Sequence, residues 1–207
     1  MRTLKICLAL LLFSPSISIA QQDKFDKYQN STSMDVITGN GYARDCYRAA
    51  SIAARIHYTS SKEIMNCNHA LNYSAMSLRD RAATLTNRGI IYMALEDYER
   101  AISDYSSALK LKPEFGEIYV NIGNIYYLGK VFDKAIQEYT SAIDKATSKI
   151  HIAHLNRGMA YENLGDFDNA ELDYRAAMEL LPDAALPQVR LDQLLQKKEA
   201  AANPEDT

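Results

Sequence analysis

The chain has 207 residues, 23 Lys and Arg against 26 Asp and Glu, a net charge of −3 and 47% hydrophobic residues. Charges of both signs are interspersed and no basic stripe runs along the sequence, which argues against nucleic acid or an anionic membrane surface as the main partner. No Ser/His/Asp constellation, Gly-rich phosphate loop, His-Glu-x-x-His or paired carboxylate with a supporting pocket is present to carry catalysis.

The N-terminus sets the expected compartment. Arg2 and Lys5 precede an apolar run over 6–13, and Ser18-Ile19-Ala20 has the small-x-small form of a cleavage site. The run is about 8 residues, far short of the roughly 20 that span a bilayer. Residues 1–20 therefore read as a secretory signal cut after Ala20, with a retained anchor as the other reading. Cys7 lies too early to be the acylated residue of a lipoprotein signal. No later stretch is apolar enough to span a membrane, so the mature chain is expected to be soluble and periplasmic or secreted. Losing Arg2 and Lys5 makes its net charge −5.

Residues 21–41 are polar and without period, including Asn30-Ser31-Thr32-Ser33 and Gly39-Asn40-Gly41, and read as a flexible leader. Residues 42–81 hold two helical stretches, 42–58 and 62–77, around Thr59-Ser60-Ser61, as a degenerate hairpin capping the stack that follows. Cys46 and Cys67, one per helix, are the two cysteines left after signal cleavage. An even number in an oxidising compartment predicts a disulfide between them. Asn30-Ser31-Thr32 and Asn72-Tyr73-Ser74 are glycosylation sequons, meaningful only in a eukaryotic host.

A repeat then begins. Gly89, Gly123 and Gly158 lie 34 and 35 positions apart, each followed at fixed offsets by Tyr92, Tyr126 and Tyr161, by Ala101, Ala135 and Ala170, by Tyr105, Tyr139 and Tyr174, and by Ala108, Ala142 and Ala177. Such self-similarity means stacked units that bury their apolar faces on one another. Within each unit the apolar spacing is helical, giving two helices of about 12–15 residues joined by a tight turn. Gly165 is placed to end one helix and Asp166 to cap the next. Pro113 and Pro182 follow the second helices of their units. After Pro187, Val189, Leu191, Leu194 and Leu195 form an amphipathic closing helix over 185–199, and 200–207 reads as a disordered tail.

Asn87-Arg88-Gly89 with Tyr92, Ala101, Tyr105, Ala108 and Pro113 resembles the tetratricopeptide repeat, and the pattern recurs, giving units at 82–115, 116–149 and 151–184. The resemblance implies an all-α, right-handed superhelical stack of αα-hairpins that binds proteins rather than catalysing a reaction. Three positions depart from the pattern: Thr147 stands in place of Pro, Glu96 in place of the turn Gly, and Gly129 comes one position early. The turn between the second and third units is accordingly expected to be altered.

Two constellations keep step with the repeats. Arg88 with Asp104 and Arg157 with Asp173 are each sixteen residues apart, and both members are replaced together in the middle unit, by Ile122 and Glu138. They read as structural ion pairs between the two helices of a hairpin. The other is the column Asn87, Asn121 and Asn156. The resemblance places it on the concave groove, where an Asn can donate to and accept from an extended peptide backbone. The other reading of the column is that it bonds an adjacent repeat and supports the stack. As a ligand column these side chains would be solvent-accessible. Asn124, Tyr127, Met159 and Asn163 extend the candidate peptide-binding set. A strong Lys/Arg set on that face is lacking, which argues against a clamp for a ligand's terminal carboxylate.

His151 and His154 are three apart on a helix, but no carboxylate or Cys repeats beside them at ligand spacing. Neither metal nor cofactor is expected. The expected partner is a protein or peptide. The chain looks like the small exported tetratricopeptide proteins of Gram-negative bacteria, which implies an accessory part in envelope assembly or complex formation. Two alternatives stand beside it: an enzyme accessory or metal-binding module acting through His69, His151 or His154, and a self-associating protein whose groove is filled by its own tail or a second copy.

Overall fold

The computed structural model describes residues 34, 41–56, 59–73, 75–145 and 147–202. The expected signal at 1–20, most of the leader and the last five residues lie outside the described residues. Among those described, nine helices follow one another without a strand. They are α1 (Gly41–Ile56), α2 (Ser61–Tyr73), α3 (Leu78–Ala94), α4 (Tyr98–Leu111), α5 (Gly116–Leu128), α6 (Phe132–Asp144), α7 (Ile150–Leu164), α8 (Phe167–Leu180) and α9 (Ala185–Ala202). Helices α3–α4, α5–α6 and α7–α8 are the three repeat hairpins, with α1–α2 at one end and α9 at the other. The first helices of successive units touch one another, α1 with α3, α3 with α5 and α5 with α7, so one face of the stack is lined by them.

Each hairpin is held by a ring laid against a glycine. A Cβ built on Gly89 would lie 2.5 Å from Tyr105 Cε1, one on Gly123 would lie 2.5 Å from Tyr139 Cε1, and one on Gly158 would lie 2.8 Å from Tyr174 Cδ1. The three tyrosines are buried, so their rings have nowhere to retreat. Ala101, Ala108, Ala135, Ala142, Ala170 and Ala177 are also wholly buried, the small residues that let paired helices approach. Gly123→Ala should therefore destabilise by about 1–3 kcal/mol through overpacking, against a helix-propensity gain of about 1 kcal/mol. Gly129 gives the contrast: its added Cβ would meet nothing closer than 3.5 Å, and its φ is −76°. Gly129→Ala should hold or raise stability by up to about 1 kcal/mol. Urea denaturation of both variants checks the pair, and equal shifts would contradict the ring-on-glycine account.

The turns obey one rule under three residues. The seventh position after each column glycine is left-handed: Glu96 at φ 61°, Lys130 at φ 58° and Gly165 at φ 77°. Glycine fits there without strain, whereas each side chain there costs roughly 1–2 kcal/mol that packing on both sides must offset. Gly129 therefore does not take the turn Gly's part; Lys130 does. Asp97 and Asp166 cap α4 and α8, accepting from the Arg100 and Asn169 amides at 3.1 and 3.2 Å.

At the turn before α7 the buried Thr147 keeps a backbone donor that Pro would lack, and it reaches Ala142 O at 3.4 Å. Ser148 donates from its amide and hydroxyl to Glu117 Oε1 at 3.3 and 2.8 Å, tying the turn to the start of α5. Burial pushes the Glu117 carboxyl up, but the bonds from Ser148 and Thr147 hold it below its ordinary range.

Several expected boundaries move. The second stretch of the first hairpin ends at Tyr73 rather than at 77, because Ser77 caps α3 by accepting from the Asp80 amide at 3.0 Å. Helix α3 consequently starts at Leu78, a turn before the repeat motif. Helix α9 runs to Ala202 rather than 199, since Ala200, Ala201 and Ala202 are strong helix formers. Its Leu191 and Leu194 are buried in a cluster with Leu155, Met159 and Tyr174, and Lys198 binds Asp168 and Glu171 at 2.7 and 3.0 Å.

Cys46 and Cys67 form a disulfide with Cα atoms 4.9 Å apart. Helix α1 ends at Ile56, so Cys46 stands ten residues from its end and Cys67 six into α2.

Candidate peptide-binding face

The face lined by α3, α5 and α7 carries the Asn column, and the column is buried there. Asn87 and Asn121 have no exposed surface, and Asn156 and Asn124 only 4% and 6%. The expectation of an open, solvent-facing ladder is thus corrected. Helix α3 is covered on this side by α1, and the side chains of α5 and α7 close on one another.

Each Asn meets different partners. Asn124 Oδ1 accepts from the Tyr139 hydroxyl at 2.9 Å and from Asn156 Nδ2 at 2.8 Å. One side-chain oxygen therefore joins the second and third units. Asn163 Nδ2 donates to the Tyr127 hydroxyl at 3.0 Å and to Met159 O at 2.8 Å. Tyr127 in turn meets Phe132 edge-on, with ring centroids 5.5 Å apart. Asn163 is exposed and Tyr127 half-buried, whereas Met159 is buried under α9. Asn124, Asn156, Tyr127, Met159 and Asn163 are brought together; Asn87 stands apart from them at the other end.

Asn87 holds a residue far off in sequence. Its Oδ1 accepts from the Met34 amide at 2.9 Å, and its Nδ2 donates to the Met34 carbonyl at 2.7 Å. Met34 is 9% exposed and belongs to the apolar cluster that contains Cys46, Ala50 and Ala83. Met34 lies in the stretch 21–41 that reads as a polar leader, and the sign in sequence against that reading is the apolar group Met34, Val36 and Ile37.

The Arg/Asp pairs are present and reach further than expected. Arg88 Nε and Nη2 donate to the two oxygens of Asp104, both at 2.7 Å, and Nη1 donates to Asn68 Oδ1 on α2 at 2.6 Å. Arg157 repeats this with Asp173 at 2.8 and 2.9 Å and with Thr140 Oγ1 on α6 at 2.9 Å. Each guanidinium ties its own hairpin to the unit before it, a role that Asn68 and Thr140 did not announce in sequence. The bond to Asp104 and its charge raise the Arg88 pKa against the opposing effect of burial.

His154 Nδ1 lies 2.8 Å from Asp173 Oδ1. Burial pushes the Asp173 carboxyl up, and the His154 and Arg157 contacts outweigh it and hold it below its usual range. In the middle unit burial alone raises the half-buried Glu138 carboxyl. His69 stacks on Tyr42 at 5.0 Å, and among the described residues no group of three or more His, Cys, Asp or Glu is placed to hold a metal ion. No helix among those residues is long and apolar enough to cross a membrane.

The family model for the tetratricopeptide repeat matches residues 82–115 and 151–184. The unit at 116–149 is not among its matches, although α5 and α6 pack with the same Gly–Tyr contact. That unit has Ile122 and Glu138 for Arg and Asp, Lys130 at the turn and Thr147 at its end. Human "Tetratricopeptide repeat protein 6" is 34% identical over 70 residues, 34% of this chain and 14% of its own length. The "Lipoprotein NlpI homolog" of Haemophilus influenzae is 26% identical over 118 residues, 57% of this chain and 37% of its own. The chain thus spans well under half the length of these relatives.

Among solved structures, the Arabidopsis OM64 TPR domain aligns with a TM-score of 0.55 at 24% identity, over 58% of this chain and 99% of that one. The second TPR domain of human RPAP3, in complex with the HSP70 peptide SGPTIEEVD, aligns with a TM-score of 0.52 at 22% identity, over 57% and 98%. These likenesses establish the fold, an all-α tetratricopeptide solenoid.

Proposed function

We propose that this chain is an exported interaction module that holds a peptide segment or partner protein on the face lined by α3, α5 and α7. The observation that carries the reading is the pair of hydrogen bonds by which Asn87 accepts from the amide and donates to the carbonyl of one residue, the way an extended backbone is gripped independently of its sequence. The RPAP3 domain of like fold was solved with a peptide, which supports the same use of the fold here. Export is supported by the signal-like residues 1–20 and by the buried Cys46–Cys67 disulfide, a bond that persists in oxidising compartments. In that setting the module is an accessory to envelope assembly or to the building of protein complexes, and acts by binding alone.

A photoreactive amino acid at Asn163, in the protein produced in its own host, tests the face. It should give a discrete crosslinked product, whereas the same probe at exposed Gln137 on α6 should not. Equal labelling at both positions, or none at either, would defeat the reading. Intact mass of the same preparation should begin at Gln21, and a mass that retains residues 1–20 would defeat cleavage after Ala20.

A further inference from the structure

We infer that the two ends of the solenoid are complementary docking surfaces, and that the occupant of each is the opposite end of a second copy of this chain. The α1–α2 end is basic and apolar; the outer side of α9, with the turn before it, is acidic and apolar. The inference is independent of the peptide-binding face, which lies between the two ends.

Arg44, Arg48, Ile52, Arg55 and Ile56 recur every three or four residues along α1, and all are exposed. Lys62, Met65, His69 and Tyr73 do the same along α2. The two helix faces form one surface, because the Tyr42 ring stacks on His69 at 5.0 Å and His69 lies 5.6 Å from the Tyr73 ring. Ile52, Ile56, Met65 and Tyr73 are each more than half exposed. The terminal unit of a solenoid ordinarily turns a polar face outward. Aromatic, Met and Arg side chains together are instead the composition of a protein interface. Within 41–73 four basic residues stand against two acidic, and one of the acids, Asp45, is already paired with Arg48 at 3.4 Å.

Helix α9 presents the reverse charge. Its three basic residues turn inward: Arg190 Nε is buried, Lys197 reaches Glu162, and Lys198 reaches Asp168 and Glu171. Asp192 and Glu199 are exposed, and so are Glu179 and Asp183 beside the α8–α9 turn. Leu180, Leu181 and Val189 stand among them, 40–47% exposed. Opposite charges meet when the α1–α2 end of one copy faces the α9 end of another, whereas two like ends would set like charges against each other. The contact joins two different surfaces, so it is heterologous and extends into an open row unless its rotation closes a ring.

Light scattering on the full chain tests this. The weight-average mass should rise with protein concentration, and by about twofold when salt is lowered from about 0.5 M to about 0.05 M, where exposed charges are less screened. Arg44→Glu with Arg48→Glu makes both ends acidic, and Asp192→Lys with Glu199→Lys makes both basic. Each variant should stay monomeric, with the melting midpoint of the unaltered chain, since all four positions are exposed. An equimolar mixture of the two should give a dimer and nothing larger, because only one complementary pair of ends remains. Association of either variant alone would overturn the inference by showing contact between like ends, and so would a mixture that does not associate. The salt dependence of the unaltered chain needs no variant: a monomer at every concentration in low salt would overturn the inference outright. Cosedimentation of that monomer with phosphatidylglycerol vesicles would give the basic end to a membrane surface instead.

Discussion

Replacing Asp173 by Asn is expected to destabilise the chain by about 2–4 kcal/mol. Removing one member of a buried ion pair costs roughly 3–5 kcal/mol, because the other charge stays in a poorly hydrated place. The Arg157 side chain keeps 19% of its surface exposed, which lowers the expectation somewhat. Asp173 takes both Arg157 donors and the His154 ring, so its loss strips three contacts from the third hairpin.

The effect carries a pH signature. The folded-state pKa of Asp173 is depressed, so the stability it confers is complete above the unfolded value, near 3.9, and is lost as pH falls through the lower folded value. Urea midpoints of the two proteins should therefore differ widely at pH 7 and converge at strongly acid pH. Glu138→Gln makes the opposite case, since burial raises that carboxyl and no Arg occupies the matching position, so it should leave stability at pH 7 unchanged or slightly higher. A gap between Asp173→Asn and the unaltered chain that does not depend on pH would place the effect in shape, not charge.

Removal of the disulfide, by Cys46→Ala with Cys67→Ala, is expected to cost about 3 kcal/mol in the chain-entropy estimate for a crosslink of this span. The two cysteines are 21 residues apart and wholly buried. Hairpin α1–α2 packs on α3 alone, whereas a central unit has neighbours on both sides, so the loss falls on the part with least support. Hydrogen exchange should quicken in α1 and α2 and stay slow in α5 and α6. A uniform loss of protection would mean that the stack opens as one body. An unchanged urea midpoint would mean that packing against α3 suffices without the bond.

The fold was legible in sequence because its determinants recur. A glycine and a tyrosine sixteen residues apart, three times over, describe one steric contact, and the alanines between them describe the helix approach. The Arg/Asp pairs were legible for the same reason: both members are lost together at Ile122 and Glu138. What could not be read is what does not recur. Met34 meets Asn87 across 53 residues, with no period to link them. Asn68 and Thr140 reach their arginines from 20 and 17 residues upstream. The Asn column recurs in sequence, yet its members do not share one role: Asn87 grips a backbone and Asn156 bonds the neighbouring Asn124. Position in the repeat fixed where each side chain points, and the neighbours, which differ from unit to unit, decided what it meets.

The arginine ties also make the stack mechanically uneven. Arg88 fastens α3 to α2 and Arg157 fastens α7 to α6, each through a planar group bonded on three sides. At the joint between α4 and α5 the corresponding side chain is Ile122, which can slide over its neighbours without breaking a directional bond. A solenoid built this way does not flex like a uniform rod: two stiff joints flank a compliant one, and a pull on its ends changes the pitch of the superhelix first between α4 and α5.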